Sequence, residues 1–427
     1  MAYNMCSLFY KYLYKHCVNW DILLHLHKRN LKVVQHFLHS KPAVILGIES
    51  SCDDTGCGIV DSNGTILGEA IHSQQLTHLK FGGILPPIAR TMHINNITKV
   101  CEDALRASNL KLKDIDAIAT TVKPGLPMSL AVGTQFGKYL AKIGEKPFIP
   151  IHHMEAHALT ARMTETVDFP YLVLLVSGGH CLLAVVENIS KFFLLGNNLT
   201  NAPGEIFDKI ARRLKLKNIP ELSSLNGGLA IEIAASKASN IDQFPFPSIM
   251  LKYRDCNFSF AGFQSICNKY VELEEIKHNI IGDMVIPDVY NLCAAVQLSA
   301  VVHICQRTQR AMEYINKMSL FPENKRTLVV SGGVASNNVL AKALNILCAE
   351  LGYNFVRTPP KLCTDNGIMI AWNGVEKWIT DTDVIRDLNE IEKIKVQKRA
   401  TFGESWIEKV QSANLKCQWV NIKKKLF

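Results

Sequence analysis

Apolar and polar positions alternate in short blocks from residue 43 onward, and the blocks repeat. Residues 44–48 form a short apolar run closed by a polar turn at 49–56; residues 57–60 follow and, past a turn at 61–64, residues 65–71. Runs of this length between turn-forming residues read as strands joined by tight connections. The same triplet returns at 171–176, 181–186 and 192–196, with Ser177-Gly178-Gly179-His180 as its first turn. Each triplet then leads on in the same way. In the first half a strand at 115–122 ends in Pro124-Gly125, and a helix over 128–143 and a strand at 148–151 come next. In the second half a strand at 327–330 runs into Ser331-Gly332-Gly333, followed by a helix over 338–351 and a strand at 354–357. A strand triplet followed by helix and strand, occurring twice, predicts a duplicated α/β unit. Duplicated lobes of this kind hold their ligand in the cleft where glycine-rich strand ends meet. The expected organisation is lobe I over 43–169, lobe II over 170–380 and a helical, basic extension over 381–427.

Residues 1–40 break the pattern. They carry five Lys/Arg against one acid, Asp21, which is +4 of the chain's formal +9. Lys28, Arg29 and Lys32 sit among leucines and valines, a basic amphipathic stretch. That predicts an organelle-targeting presequence over 1–40 rather than a secretory signal, which needs an uninterrupted apolar core. An N-terminal extension with no targeting role is the alternative. The remaining +5 suits a polyanionic partner such as RNA, though many metabolic enzymes share it.

Composition narrows the class. Hydrophobic residues at 48% and charged residues at 20% match an ordinary globular protein. No uninterrupted apolar run approaches the roughly 20 residues needed to span a bilayer, so no membrane role is expected. Thirteen cysteines are odd in number, scattered, and without C-x-x-C spacing, which predicts free, mostly buried thiols.

Candidate chemistry clusters at matching places in the two halves. After the last strand of the first half comes His152-His153-Met154-Glu155-Ala156-His157. On a helical turn His153 and His157 share a face, an arrangement common in metal sites. Glu155 lies between them, at the wrong offset for the general base of an H-E-x-x-H protease. The second half offers Asp365 within Cys363-Thr364-Asp365-Asn366-Gly367, at nearly the pseudo-symmetric place. Two histidines and a carboxylate across a cleft make a three-ligand site with positions open for substrate or water; ordinary cleft histidines are the alternative. Three glycine-rich turns, Ser177 to Gly179, Gly227-Gly228 and Ser331-Gly332-Gly333, would let backbone N–H groups approach a phosphate or ribose. Asp208 could accept from ribose hydroxyls or stand as a helix-surface carboxylate. Asn337 could reach a ligand or serve as an N-cap.

These residues resemble one family throughout. Gly47-Ile48-Glu49-Ser50-Ser51-Cys52-Asp53-Asp54-Thr55, His153-Met154-Glu155-Ala156-His157, Leu175-Val176-Ser177-Gly178-Gly179-His180 and Phe207-Asp208-Lys209 match the tRNA N6-adenosine threonylcarbamoyltransferase family in order. Phe258-Ser259-Phe260, Ser331-Gly332-Gly333-Val334 and Cys363-Thr364-Asp365-Asn366 complete the set, over about residues 44–375. The wording around 153–162 and 364–372 is similar to the mitochondrial branch. The resemblance implies an actin-like (ASKHA) two-lobe α/β fold with its active site between the lobes. It implies transfer of threonylcarbamoyl from threonylcarbamoyl-AMP, made by a separate synthase, to N6 of adenosine 37 in tRNAs reading codons that begin with A. A homodimer in the mitochondrial matrix is expected. The resemblance assigns one divalent metal ion per subunit, Fe, Zn or Mg, to His153, His157 and Asp365. It assigns the adenylate to Leu175, Val176, Ser177, Gly178, Gly179, Asp208, Gly228 and Asn337, and no catalytic residue follows. The chain has Pro86-Pro87 where family members outside the mitochondrial branch usually have Pro-Glu, a longer segment over 218–228 than bacterial relatives, and Asn201-Ala202-Pro203 in place of the more acidic bacterial wording. A metalloprotease, a sugar kinase of the same superfold and a non-catalytic nucleotide-binding scaffold are the competing classes.

Overall fold

Strand β1 (Val44–Glu49) is buried along its whole length and forms an antiparallel hairpin with β2 (Asp54–Asp61), pairing Val44 with Asp61 and Glu49 with Gly56. The chain is described as a computed structural model over residues 41–81 and 83–426; the expected presequence, residues 1–40, lies outside the described residues. Pairing continues to Gly56, so β2 begins at Asp54, inside the stretch that the sequence reads as a turn. Strand β3 (Ile66–Ser73) pairs antiparallel with β2. After α1 (Gln75–Lys80) and α2 (Pro86–Ala107), β4 (Ala117–Lys123) lies parallel to β1. Helix α3 (Pro127–Gly144) then leads to β5 (Phe148–His152), parallel to β4. The sheet order is β3-β2-β1-β4-β5.

The second half repeats it. Past α4 (His153–Leu159) and α5 (Ala161–Thr164), strands β6 (Tyr171–Val176), β7 (Cys181–Asn188) and β8 (Lys191–Asn197) form an antiparallel meander. Helices α6 (Pro203–Arg213), α7 (Gly227–Ala235), α8 (Ala261–Lys277) and α9 (Val289–Lys317) precede β9 (Thr327–Ser331), α10 (Asn338–Leu351) and β10 (Asn354–Arg357). Read from β8 the order is β8-β7-β6-β9-β10, strand for strand that of the first sheet. The duplicated, actin-like two-lobe fold expected from the sequence is therefore the fold observed. By length and composition α9 could cross a membrane, but 83% of its most apolar window is buried inside the lobe. All eleven cysteines among the described residues are free, and nine are buried.

The two sheets meet through helices. After the short α11 (Pro360–Cys363), α12 (Gly367–Ile379) leaves the second half, with which the sequence grouped it, and lies on β1 and β2. Side chains of α4 and α12 fill a core with Ile45, Ala117 and Ile149 from the first sheet and Tyr171, Val173, Leu175 and Val329 from the second. The approach of α12 is backbone on backbone. A Cβ on Gly47 would sit 2.2 Å from the Ala371 amide nitrogen, and one on Gly58 2.4 Å from that of Ile368. One on Gly367 would sit 2.2 Å from the Gly58 amide nitrogen, so three positions admit glycine alone. The Trp372 indole N–H donates to the Leu159 carbonyl at 3.1 Å, locking α12 to α4.

The tail returns across both lobes. Residue Ile385 exchanges backbone hydrogen bonds with Phe148, and α13 (Leu388–Lys393) follows. Strand β11 (Glu404–Ser405) then adds to β8, and α14 (Ile407–Ser412) and α15 (Ile422–Leu426) close the chain on the second lobe.

Because the clash at Gly47 is with main chain that cannot rotate away, Gly47→Ala should cost roughly 3 kcal/mol in urea unfolding. Gly262→Ala, whose Cβ would meet only Ile249 Cγ2 at 3.5 Å near the start of α8, should be neutral or stabilise by up to about 1 kcal/mol. Equal midpoints for the two variants would contradict the packing argument.

Candidate active site

Helix α4 starts as soon as β5 ends, because His152 acts as its N-cap, its side chain accepting from the Met154 amide at 3.2 Å. The first helical residue, His153, and His157 one turn on then stack edge to face, ring centroids 4.7 Å apart, both buried. Asp365 reaches them from the other half. Asn366 caps α12 through the Met369 amide at 2.9 Å and donates to the Thr364 carbonyl at 2.7 Å, which fixes the loop. The helix α11 separates Asp365 from β10, whereas His153 follows β5 directly, so the two positions are less symmetric than the sequence suggests.

The donor atoms converge. Asp365 Oδ1 lies 3.1 Å from His157 Nε2 and 3.5 Å from His153 Nε2, and the three ligand atoms all fall within 4.8 Å of one another. Ligands about 2.1 Å from a common ion stand about 3–3.5 Å apart, so the donor set fits a divalent cation. The electrostatics fit as well. Burial pushes the His153 imidazole down, but the carboxylates of Asp365 and Glu49 outweigh it and hold it at about 9. Burial pushes Asp365 up, yet His153 and the hydrogen bond from His157 bring it below the usual carboxylate range. Glu155, between the histidines in sequence, turns instead toward Lys377 Nζ at 3.6 Å. It does not stand where a metalloprotease general base would.

Sequence reasoning passed over Glu49 except as part of a motif. It is fully buried; Oε1 accepts from the Ser51 amide at 2.5 Å and Oε2 from the Thr121 hydroxyl at 2.6 Å. Oε2 also lies 3.3 Å from His153 Nδ1, which Ser51 Oγ approaches at 3.1 Å. A carboxylate behind a metal-facing imidazole orients the ring and raises its basicity. The signal was available: an acid ending an apolar strand is a buried charge that demands a partner. Two further groups, His180 and Asp54, likewise enter the sequence reading only as members of a motif. Burial, His153 and His157 push His180 down to about 4, leaving it a neutral imidazole beside the triad. Burial and the neighbouring Asp53 push Asp54 up to about 7.

The glycine-rich turns lie next to one another. A Cβ on Gly178 or Gly179 would meet open space, while Gly204 at the start of α6 packs on the Gly178 backbone. Gly332, at φ 99°, lies where a Cβ would stand 2.5 Å from the Val176 carbonyl, and Gly333 faces only Thr364. The Asp208 carboxylate accepts from the Gly227 amide at 2.8 Å, and Gly228 stays uncrowded at the start of α7. The turns thus neighbour one another from Thr364 past Gly333 and the buried Gly332 to Gly178, and through α6 to Asp208 and Gly227; Gly178 and Gly179 are exposed, and Gly228 and Gly333 half-buried. Leu175, Val176 and Ser331 are buried, so the two apolar residues offer a ligand their backbone only. Asn337 caps α10, its side-chain oxygen accepting from the Leu340 amide at 2.9 Å. Pro86 and Pro87 open α2, where a missing N–H costs nothing.

A family model described as TsaD, tRNA N6-adenosine threonylcarbamoyltransferase, matches residues 65–372. The chain is similar to the mitochondrial tRNA N6-adenosine threonylcarbamoyltransferase of Xenopus tropicalis, 48% identical over 89% of this chain and 93% of the frog protein. The human mitochondrial relative is 46% identical over 89% of this chain and 90% of its own, and the Rickettsia rickettsii enzyme 39% over 78% and 92%. Among solved structures, component A of the (R)-2-hydroxyglutaryl-CoA dehydratase of Acidaminococcus fermentans aligns at a TM-score of 0.42 and 14% identity, covering 79% of this chain and 99% of that one. A match of the family model across most of both lobes, with relatives nearly half identical along nine-tenths of the chain, shows that the chain belongs to the tRNA N6-adenosine threonylcarbamoyltransferase family.

Proposed function

We propose that this enzyme transfers the threonylcarbamoyl group of threonylcarbamoyl-AMP, supplied by a separate synthase, to N6 of adenosine 37 in tRNAs reading codons that begin with A. The mitochondrial names of its relatives support the matrix as its location, and a homodimer as its assembly is part of the same reading. The observation that carries it is the convergence of His153, His157 and Asp365 beside a strip of glycine backbone. His153, His157 and Asp365 would hold one divalent ion per subunit. The adenylate would lie along Leu175, Val176, Ser177, Gly178, Gly179, Asp208, Gly228, Ser331, Gly332, Gly333 and Asn337.

An exocyclic adenine amine is a weak nucleophile, but the carbamoyl–phosphate anhydride is already activated. The protein's task is then to place the amine against the carbonyl carbon, and orientation alone supplies roughly 7–11 kcal/mol. A bound ion supplies Lewis acidity at an acyl oxygen or at the threonyl carboxylate. As the new N6–C bond forms, the C–O bond to the phosphate breaks, the glycine N–H groups receive the phosphate charge of departing AMP, and the proton lost by N6 passes to that phosphate or to water; Asp208 accepts from ribose hydroxyls. Glu49 keeps His153 Nδ1 occupied, so that Nε2 faces the cleft.

Digesting unmodified tRNA after incubation with threonylcarbamoyl-AMP, a divalent metal and the chain should give a mass shift on adenosine alone. His153→Ala and Asp365→Ala should lose both the retained metal and the transfer. Transfer at the wild-type rate in either variant would sink the metal assignment. No shift in a folded, metal-loaded wild type would favour a phosphotransferase.

A pH dependence follows from His153. Its folded value, about 9, lies above the unfolded imidazole value of about 6.5, so its ion pairs stabilise the metal-free protein fully below that value. That stability is lost as pH rises through 9. An incoming ion displaces the proton, so metal affinity by titration calorimetry should rise up to about tenfold per pH unit between about 7 and 9, then level off. An affinity flat across that window would remove the proton from His153.

A further inference from the structure

The segment between α13 and β11 forms a strap that runs from the C-terminal end of β4 to His152, next to the metal-facing histidine, and on to β8. The Gln397 amide donates to the Val122 carbonyl at 3.0 Å, and the Lys398 carbonyl accepts from the Gly125 amide at 3.3 Å. Gly125 leans on Ser51, where a Cβ would stand 2.5 Å from the Ser51 carbonyl, and Ser51 Oγ is 3.1 Å from His153 Nδ1. Two residues beyond Arg399, Thr401 touches His152 through its backbone, and the Phe402 ring packs against His152 at 6.0 Å and Phe192 at 4.8 Å. The main chain of the strap is therefore fixed at both ends, one contact away from the metal-facing histidine.

Its side chains are not satisfied within the protein. Lys393 pairs with Glu390 at 2.6 Å, but Lys395, Lys398 and Arg399 are exposed, and among the described residues none has a carboxylate within 4.0 Å. Three unpaired cations on a strap anchored beside the end of β4 and His152 raise the local concentration of anions. Their spread along an extended segment suits a repeating phosphate chain better than one small anion.

We propose that this strap is the surface along which the sugar–phosphate backbone of tRNA is guided into the cleft, with Lys395, Lys398 and Arg399 each neutralising a phosphate. The inference rests on the tRNA reading above and names a surface for it. Because these side chains contact phosphates rather than bases, they set affinity and salt dependence without selecting sequence.

The test compares the full, metal-loaded chain with Lys395→Gln/Lys398→Gln/Arg399→Gln. A control, Lys111→Gln/Lys113→Gln/Lys142→Gln, neutralises an equal charge near the N-terminal end of β4. Affinity for unmodified tRNA is measured across a salt series, with the transfer rate at saturating tRNA and the thermal midpoint alongside. The strap variant should bind about tenfold more weakly near physiological salt, with a log–log salt slope shallower by about two. Its rate at saturation and midpoint should stay near wild type, and the control should keep the wild-type slope. A strap variant with the wild-type slope, or a control that loses as much, overturns the strap alone. A wild-type chain that binds no tRNA overturns the tRNA reading as well.

Discussion

The close approach of α12 to the β1–β2 hairpin is the constraint on which the site depends. The histidines belong to a helix that follows the first sheet and the aspartate to a loop that follows the second, so they meet only if an element of one half crosses to the other. Helix α12 makes that crossing, and it can seat itself only where Gly47, Gly58 and Gly367 leave main chain against main chain. Its N-terminal end then carries Asp365 down to α4, and the bond from Trp372 to Leu159 holds the two helices in register. The geometry of the donor atoms is set by packing several residues away from them.

Seated this way, the site gathers more charge than a core tolerates. Glu49, His153 and Asp365 lie together, with Asp53 and Asp54 close enough for the Asp365 charge to raise both. Burying charge costs several kcal/mol per ion, and removing one partner leaves the other uncompensated. Such a cluster is a poor source of stability and a good sign of function. The hydrogen-bonded path Thr121–Glu49–His153, with Asp365 facing the other ring nitrogen of His153 at 3.5 Å, accounts for why an acid closes an otherwise apolar strand.

Much of this was legible in the sequence because it is written in short-range pattern. Strand triplets, the turn after β6 and the shared face of His153 and His157 each follow from periodicity or spacing. What the sequence hid is what depends on contacts distant along the chain. Helix α12 reads as part of the second half because nothing local says which sheet it covers; the glycines that receive it lie some three hundred residues earlier. Glu49 reads as a motif letter until Thr121 and His153 surround it. Asn337 and Asp208 each carried two readings. The structure gives Asn337 its cap, and it binds Asp208 to Gly227 while leaving the rest of that carboxylate at the surface.

The tail adds a second link between the halves. Between residues 385 and 406 it bonds to β5 and to the end of β4 in the first lobe, then adds a strand to the second, with the Trp406 amide donating to the Leu194 carbonyl at 2.8 Å. A cleft between two lobes opens by rotating one against the other, and every covalent crossing limits that rotation. The tail is tied by main-chain hydrogen bonds to each lobe in turn, and α12 packs backbone on backbone between them. Groups held in place by main chain before a reactant arrives need no reorganisation when charge develops, and both links, α12 and the tail, hold the site's loops through backbone contacts.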